Sequence, residues 1–412
     1  MSGKLFSIES IYKIGSGPSS SHTIGPFRAL KSFIHHLNED NINYDFIHIT
    51  LYGSLALTGV GHHTDRILYR ALGEIKGEVV FDKTVKPSHP NTMYIEAFKN
   101  NKSVRKYRYI SIGGGDLEGD DETVKTVKVY PFATFSELTD YIINNHFKNI
   151  PELVKSFESG TLDEHLDLVI DTMISTIQNG LELEGNLIRV EGLIVNRRAK
   201  QLYTDALNHD NNEDIQDHLL ASYAMAMNEQ SVCGDLVVTS PTCGSCGVLA
   251  SLVAYEILNN KRSRKEVKEA LMTAGMIGNL VKLNATVAGA VGGCQAEIGT
   301  ASAMGAAFLC QLDNAPLVTI DYASSSALQH FFGLTCDPVK GYPVLPCVER
   351  NAIGALHSKM AYSIAKILSQ HGPSDVPFDL AVKVMKETGD AMNRDYKETS
   401  LGGLAKYFGE RC

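Results

Sequence analysis

The apolar residues in the last two-thirds of this chain recur with the period of an α-helix. Of all the features of the sequence, this pattern most strongly limits the folds that the chain can adopt. Beyond residue 160 the only run typical of a strand is LVVTS, at 236–240. The run 285–307 is rich in small residues, which predicts a close approach of helix backbones or of a cofactor. The pattern predicts helices at 161–183, 215–230, 246–260, 263–283, 285–312, 321–333, 350–369 and 376–392. We therefore expect an all-α domain over residues 160–412.

The first third of the chain mixes helical and strand-like periodicity. The two alternate along residues 22–38, 44–53, 54–72 and 135–146 and the segments TMYIEAF, KYRYISI and VKTVKVYPF. This pattern predicts an α+β domain at 1–152 with a small, mostly antiparallel sheet. Pro151 and the polar run KSFESG favour a domain boundary near 147–160. The predicted fold class is therefore an α+β domain, followed by an all-α domain.

The composition argues against several classes of function. The formal net charge is −9 and the pI is about 5.9, which does not suit a nucleic-acid surface. No stretch approaches the roughly 20 apolar residues of a membrane span, and the first residues have no signal-peptide pattern. We expect a cytoplasmic protein with no nucleic-acid or membrane partner. Its eight cysteines are then expected to be buried, catalytic or metal-binding, because disulfides are rare in that compartment.

The segment GSGPSSSHTIGP, residues 15–26, predicts a helix that begins near His22 after a turn. Ser19, Ser20 or Ser21 could cap this helix. A helix N-terminus surrounded by hydroxyl groups suits a carboxylate or a phosphate. An ordinary serine cap after a Gly/Pro turn is the alternative, and the segment alone favours it.

A second polar segment, LYGSLALTGVGHHTDR at 51–66, combines Ser54 with two adjacent histidines. His62 and His63 could act as acid–base groups or bind an anion. The alternative is a loop in which both histidines are solvated, and the segment alone favours that alternative.

Three cysteines lie in contexts rich in glycine and proline: Cys294 in VGGCQAEIG, Cys336 in GLTCDPV and Cys347 in VLPCVERN. Soft thiolates select zinc or iron–sulfur clusters. The 42-residue step from Cys294 to Cys336 fits no simple zinc-finger spacing. Cys412 is the last residue, and on a free tail it would be a ligand that comes and goes. The alternative is that these cysteines are small core residues.

Cys243 and Cys246 form a CGSC motif that follows a strand-like run and opens a helix. A helix N-terminus lowers the pKa of a thiol, so a redox pair is one interpretation. The other interpretations are that the two cysteines are additional metal ligands or that they are small residues that pack tightly.

Taken together, these segments resemble the iron–sulfur-dependent L-serine dehydratases in their single-chain form. The resemblance extends over nearly the whole chain, and several such segments in the same order are far more specific than any one of them. It is carried by GPSSSHTIGP (17–26), LYGSLALTGVGHHTDR (51–66), HPNTM (89–93), SIGGG (111–115), VVTSPTCGSCG (237–247), GCQAEIGTASAMGAA (293–307), GLTCDPV (333–339), PCVERNAIGA (346–355) and YKETSLGGLA (396–405).

The resemblance implies a [4Fe–4S] cluster held by Cys294, Cys336 and Cys347, with the fourth iron open to substrate. It also implies that Cys412 can take the open position in the empty site. The implied reaction converts L-serine to pyruvate and ammonia, with the cluster as a Lewis acid. The N-terminal domain would resemble the substrate-binding regulatory domain of some phosphoglycerate dehydrogenases. The protein would be a homodimer.

The site residues that we expect lie in the same segments. Those expected to be catalytic are Ser19, Ser20, Ser21, His22, Thr23 and His62, and those expected to bind substrate are Ser54, His63, Thr399 and Ser400. Glu398 could position the tail or the substrate. The base that removes the Cα proton stays open among His22, His62, a serine alkoxide and Lys397.

One departure from the family concerns the CGSC motif. The similar proteins usually have PTNGA where this chain has PTCGS, so Cys243 replaces an amide with a thiol. This leaves a related iron–sulfur dehydratase of L-threonine or another β-hydroxy acid as an alternative. A non-catalytic iron–sulfur or thiol sensor and a zinc protein are further alternatives.

Overall fold

A computed structural model describes residues 3–122, 126–208 and 212–408. The strands are β1 (Leu5–Phe6), β2 (Ile14–Ser16), β3 (Phe46–Tyr52), β4 (Gly77–Asp82), β5 (Thr92–Lys99), β6 (Lys102–Gly113), β7 (Asp116–Gly119), β8 (Lys128–Tyr130), β9 (Asn186–Val190), β10 (Leu193–Asn196) and β11 (Leu236–Val238). The α-helices are α1 (Ile24–Glu39), α2 (Ser54–Thr58), α3 (Thr64–Leu72), α4 (Phe135–Asn144), α5 (Ile150–Phe157), α6 (Leu162–Glu182), α7 (Ala199–Asn208), α8 (Asn212–Cys233), α9 (Cys246–Leu258), α10 (Arg264–Asn284), α11 (Gly289–Gly292), α12 (Ile298–Leu312), α13 (Leu317–Gln329), α14 (Cys347–Leu368), α15 (Phe378–Ala391) and α16 (Gly403–Phe408).

The N-terminal part is built on a five-stranded sheet in the order β4–β3–β5–β6–β7. β3 pairs in parallel with β4, and the other pairs are antiparallel. Alternate residues of β3 (Ile47, Ile49 and Leu51) are buried, as a period of two requires. They share a core with Phe33 of α1 and Leu68 of α3. The mixed α/β architecture and the mostly antiparallel sheet predicted from the sequence are confirmed.

The C-terminal part is mainly helical, and α12 packs against α10, α13 and α14 at its centre. Small residues permit this packing. A Cβ atom added at Gly305 would lie 2.5 Å from Ser358 Oγ on α14, and one at Gly278 of α10 would lie 2.7 Å from Met304 Sδ. The close approach predicted from the small-residue run is confirmed. Within the described ranges, no helix is long and apolar enough to cross a membrane.

The prediction that the second part is all-α is wrong at residues 186–196, where β9 and β10 form an antiparallel hairpin. Gly192 in the hairpin turn has a φ of 68°, which glycine adopts readily. The strand-like run LVVTS is confirmed as β11, which pairs antiparallel with β2 of the N-terminal part.

The predicted helix at 285–312 is interrupted. The chain forms α11, then a 3₁₀ turn at Cys294–Ala296, and then α12. Gly293 joins the first two with a φ of 76°, a conformation that side chains other than glycine rarely adopt. The interruption places Cys294 in a turn and not on a helix face. The predicted helix at 54–72 is likewise divided into α2 and α3, and His63 between them has a φ of 60°.

The apolar cores do not separate at the predicted domain boundary. One core lies between the sheet and its helices, within residues 29–117. The core of the helical part also takes in Leu5 and Tyr12 near the N-terminus and Tyr130 and Phe132 beyond the sheet. α5 occupies the predicted boundary near 147–160. The domains 1–152 and 160–412 stay a prediction.

A buried ionic cluster joins the two parts. Asp116 of β7 lies 2.8 Å from Lys13 Nζ, contacts Lys282 of α10, and is 3.7 Å from Arg28 of α1. Burial raises the pKa of the Asp116 carboxyl, but Lys13 and Lys282 outweigh burial and hold that pKa well below its usual range. The carboxylate therefore stays ionised and balances cations from three separate segments.

We predict that Asp116→Asn lowers the free energy of unfolding by about 3–5 kcal/mol, because it leaves buried Lys13 and Lys282 without their anion. Urea denaturation followed by circular dichroism measures the change. The control is Asp390→Asn, which breaks the exposed ion pair with Lys386 and should cost less than about 0.5 kcal/mol. Equal effects of the two substitutions would contradict the prediction.

Candidate active site

The SSSHT segment forms a loop between β2 and α1 that is buried throughout. Thr23 closes the loop, because its Oγ1 lies 2.6 Å from Ser16 O and 2.8 Å from Ser19 O and donates to these carbonyls. The expected serine cap of a helix at His22 is wrong. The helix begins at Ile24, Thr23 is its N-cap residue, and the Thr23 side chain makes no cap hydrogen bond. The serines are thus free of a capping role.

The hydrogen on the His22 imidazole can be placed from its neighbours. His22 Nε2 lies 3.0 Å from Thr58 Oγ1 and 3.4 Å from Ser54 Oγ. Both hydroxyls already donate to carbonyls, Thr58 to Ser54 O at 2.9 Å and Ser54 to Glu398 O at 2.8 Å. Because a hydroxyl has a single hydrogen, His22 Nε2 must donate in this contact.

The other imidazole nitrogen of His22 is then an acceptor. His22 Nδ1 lies 3.0 Å from Ser21 Oγ and 3.3 Å from Ser19 Oγ, and the two serine oxygens are 3.2 Å apart. One of these hydroxyls donates to Nδ1. A serine hydroxyl held against an unprotonated imidazole nitrogen is the arrangement that activates serine.

The environment of His22 keeps the imidazole neutral. Burial lowers the pKa of His22 to about 4, although the Glu398 carboxylate opposes the shift. His62 stacks on His22 with ring centroids 4.4 Å apart, and its charge lowers the pKa further. At neutral pH the ring can therefore accept a proton, as a general base must.

Glu398 lies next to both histidines and to Ser19. Its Oε1 lies 3.4 Å from His62 Nε2, 3.4 Å from Ser19 Oγ and 3.7 Å from His22 Nδ1. His62 Nδ1 lies 3.0 Å from Thr58 O and donates to that carbonyl, so His62 Nε2 is the ring nitrogen that faces Glu398 Oε1. Glu398 Oε2 is buried and has no hydrogen-bond partner among the described residues.

Cys294, Cys336 and Cys347 converge from separate segments and are all buried. Cys294 lies in the turn after Gly293, and Cys347 begins α14. Cys336 is fixed by backbone pairing, because its N–H donates to Tyr396 O at 2.8 Å and its carbonyl accepts from Glu398 N at 2.8 Å. Ligand atoms of Cys294, Cys336 and Glu297 lie within 4.8 Å of one another, as in a metal site.

Hydrogen bonds and a nearby positive charge favour the thiolate form of Cys294. Hydrogen bonds from Cys336 and Cys347 lower the pKa of the Cys294 thiol. Arg350 is held nearby by donating from Nη1 to Thr335 O at 2.8 Å. Burial lowers the pKa of Arg350, but the charges of the cysteines outweigh burial and raise it, so Arg350 stays a cation beside the thiols.

One cavity brings the cysteines and the SSSHT loop together. It is lined by Pro18, Ser19, His62, Gly244, Cys294, Glu297, Ile298, Cys336, Pro338, Pro343, Cys347 and Glu398. Its walls come from the N-terminal loops, from the turns around α12 and α14, and from the segment after α15. The cavity therefore combines a thiol set with hydroxyl, imidazole and carboxylate groups.

Several expected residues lie at the edge of this arrangement. Thr399 Oγ1 donates to Asp395 O at 2.9 Å, and Ser400 Oγ donates to Pro338 O at 2.6 Å, so both hydroxyls hold their own loop. His63 Nδ1 lies beside Gly234, and Lys397 does not line the cavity. The roles expected for these residues and for buried Ser20 stay predictions. Cys412 lies outside the described residues.

Sequence reasoning missed three residues of the site. Glu297 accepts from Thr242 Oγ1 at 2.7 Å and lines the cavity. Arg350 supplies the positive charge, and Thr58 orients His22. All three lie inside the segments that carry the family resemblance, but neither their spacing nor their residue types mark them as functional.

The CGSC motif packs in the core beside the cavity. Cys243 and Cys246 are buried and free, and burial raises the pKa of Cys246 to about 12 and that of Cys243 well above its usual range. Neutral, inaccessible thiols favour the packing interpretation over a redox pair. Cys243, the residue that departs from the family, does not line the cavity, whereas its neighbour Gly244 does.

The cavity places buried thiols beside imidazole, hydroxyl and carboxylate groups, and comparison with known proteins identifies the family. The family described as "Serine dehydratase alpha chain" matches residues 92–405, and that described as "Serine dehydratase beta chain" matches residues 7–79. The chain therefore belongs to the serine dehydratase family, which makes it a lyase.

Individual relatives are similar over nearly their whole length. The chain is 34% identical to the L-serine dehydratase of Helicobacter pylori (strain J99), over 97% of this chain and 98% of that protein. It is 34% identical to L-serine dehydratase 1 of Escherichia coli (strain K12), over 97% of this chain and 99% of that protein. It is 32% identical to the L-serine dehydratase of Haemophilus influenzae, with the same coverage as the Escherichia coli protein.

The pKa of His22 predicts a pH-dependent stability. Between pH 6.5 and about 4 the unfolded chain binds a proton that folded His22 excludes. Stability is therefore lost as the pH falls through this window, by about 2 kcal/mol at pH 5. Urea denaturation at pH 8 and pH 5 should show a smaller loss for His22→Gln than for the native chain. The control is exposed His35→Gln, which should behave as the native chain; an equal loss in His22→Gln would contradict the prediction.

Proposed function

We propose that this protein is an L-serine dehydratase, which converts L-serine to pyruvate and ammonia with the help of an iron–sulfur cluster. The observation that carries the proposal is the single cavity lined by Cys294, Cys336 and Cys347 on one side and by Ser19, His62 and Glu398 on the other. The relatives named above, similar along nearly the whole chain, support the same substrate.

The chemistry of the donor set fits a [4Fe–4S] cluster held by Cys294, Cys336 and Cys347. Thiolates are the usual ligands of such clusters, and Arg350 offsets part of their negative charge. Glycines keep the surroundings open, because a Cβ atom at Gly289 would lie 3.3 Å from Cys336 Sγ. With three thiols as its ligands, such a cluster would have one iron without a protein ligand. When bound, the cluster supplies a Lewis acid for the departing β-hydroxyl group.

The chain's own residues provide the proton transfers. Ser19 lines the cavity, and its hydroxyl proton can pass to His22 Nδ1, directly or through Ser21, while Ser19 Oγ takes the Cα proton of the substrate. This makes the Ser19–His22 pair our choice among the bases that the sequence left open. Ser19 Oγ passes the Cα proton to the departing β-hydroxyl group, which leaves as water, and His22 returns its proton to Ser19. The protein therefore recovers its starting protonation state.

Burial of the site limits contact between bulk water and the reacting groups during the elimination step. The buried walls of the cavity restrict access of bulk water during elimination. The resulting aminoacrylate tautomerises to an imine, and water hydrolyses the imine to pyruvate and ammonia. The alternative substrate suggested by Cys243 loses its support, because the Cys243 side chain packs outside the cavity.

Other properties expected from the sequence remain proposals. We infer a homodimer and a regulatory role for the N-terminal part from the family resemblance alone. The same holds for Cys412 as a displaceable ligand of the cluster, whereas we infer a cytoplasmic location from the sequence features described above.

The experiment is anaerobic reconstitution with iron and sulfide, followed by measurement of visible absorbance and of pyruvate release from L-serine. We expect Cys336→Ala to lose both, because a cluster ligand is missing. The matched control is Cys310→Ala, which removes a buried thiol of α12 that contacts Thr319 O outside the cavity, and which should keep both. A native protein that carries the chromophore but releases no pyruvate would contradict the proposed reaction.

A further inference from the structure

Only one of the two carboxylate oxygens of Glu398 has a hydrogen-bond partner among the described residues. Oε1 has Ser19, His62 and His22 as neighbours, all between 3.4 and 3.7 Å. Oε2 is buried, lacks a hydrogen-bond partner among the described residues, and belongs to a side chain that lines the cavity. A buried carboxylate oxygen without a partner is costly. Its persistence at a cavity indicates that a ligand completes it.

The backbone holds this side chain firmly in place. Glu398 N donates to Cys336 O at 2.8 Å, and Glu398 O accepts from Ser54 Oγ at 2.8 Å. Glu398 also has a φ of 55°, a backbone conformation that residues other than glycine rarely adopt. Such strain persists at positions that the surrounding structure fixes, and here it directs the side chain between the thiols and the histidines.

The missing partner must be a cation or a hydrogen-bond donor. Among the described residues that line the cavity, none is a lysine or an arginine. Arg350 is the nearby cation, but it is engaged with Thr335 O and Asp337. The second carboxyl group of the cavity, that of Glu297, already accepts from Thr242 Oγ1. Of the buried carboxylate oxygens without a hydrogen-bond partner among the described residues, that of Glu398 belongs to a side chain that lines this cavity.

We propose that Glu398 Oε2 receives the α-ammonium group of the amino-acid substrate. This assignment rests on the proposed function, because the ammonium is the only cationic group of L-serine. A charge-assisted hydrogen bond in a buried cavity is strong and directional. Glu398 is thus a residue that determines specificity: it selects α-amino acids over acids of the same shape that lack the amine.

The test compares two ligands that cannot undergo dehydration, L-alanine, which has the ammonium group, and propionate, which lacks it. Binding to the reconstituted protein is measured by calorimetry, and inhibition of L-serine turnover gives a second readout. We expect the native protein to prefer L-alanine by about 100-fold. Glu398→Gln should abolish this preference by weakening L-alanine, with propionate binding unchanged, because an amide cannot pair with the ammonium charge.

Two further variants separate recognition from a structural effect. Asn393→Ala removes a hydrogen bond of the same segment, from Asp395 N, and should keep the preference for L-alanine. Glu398→Asp retains the negative charge and should keep most of the preference for L-alanine over propionate. This variant tests the assignment if Glu398→Gln does not fold.

The outcomes distinguish this proposal from the proposed reaction. A Glu398→Gln variant that retains the preference, or that loses both ligands equally, overturns the ammonium assignment. Loss of turnover with unchanged L-alanine binding also overturns it and assigns Glu398 to proton transfer. A native protein that prefers L-alanine but makes no pyruvate from L-serine would refute the dehydratase reaction while leaving the ammonium site intact.

Discussion

The backbone pairing between Cys336 and Glu398 holds the candidate site together. The backbone of Cys336 donates to Tyr396 O and accepts from Glu398 N. These two hydrogen bonds fix one of the three cysteines relative to the carboxylate that lines the cavity. Ser54 then donates to Glu398 O and contacts His22 Nε2, which extends the connection to the N-terminal part. Loosening this pairing would move the three cysteines and the histidine and carboxylate groups relative to each other. Catalysis of the proposed kind depends on that relative position.

The site lies where the two parts of the chain meet, and each part contributes a different chemistry. The helical part supplies soft thiols and the partly buried positive charge of Arg350. The N-terminal part supplies the hydroxyls and imidazoles, oriented by carbonyls and by Thr58. The placement of hydrogens on His22 follows from counting hydroxyl donors. It leaves Nδ1 as a hydrogen-bond acceptor that faces Ser19 and Ser21 and Nε2 as a donor toward Thr58 and Ser54.

Much of this arrangement could be predicted from the sequence, and the failures have physical causes. Helical periodicity located most of the helices, and the glycine- and proline-rich contexts of Cys294, Cys336 and Cys347 indicated a thiol set. The interruption at Gly293 could not be read from periodicity, because small apolar residues continue across it. Glu297 and Arg350 were missed because their roles arise from tertiary contacts with Thr242 and the cysteines, which have no counterpart in local spacing.

Mössbauer spectroscopy of the anaerobically reconstituted protein, recorded with and without L-serine, tests the central claim most directly. The claim is that three cysteines hold a cluster with one iron open to the cavity of Ser19 and Glu398. It predicts that L-serine changes the isomer shift and quadrupole splitting of one iron and leaves the remaining irons as they were. A spectrum that L-serine does not change, or a protein that binds no cluster, would contradict it.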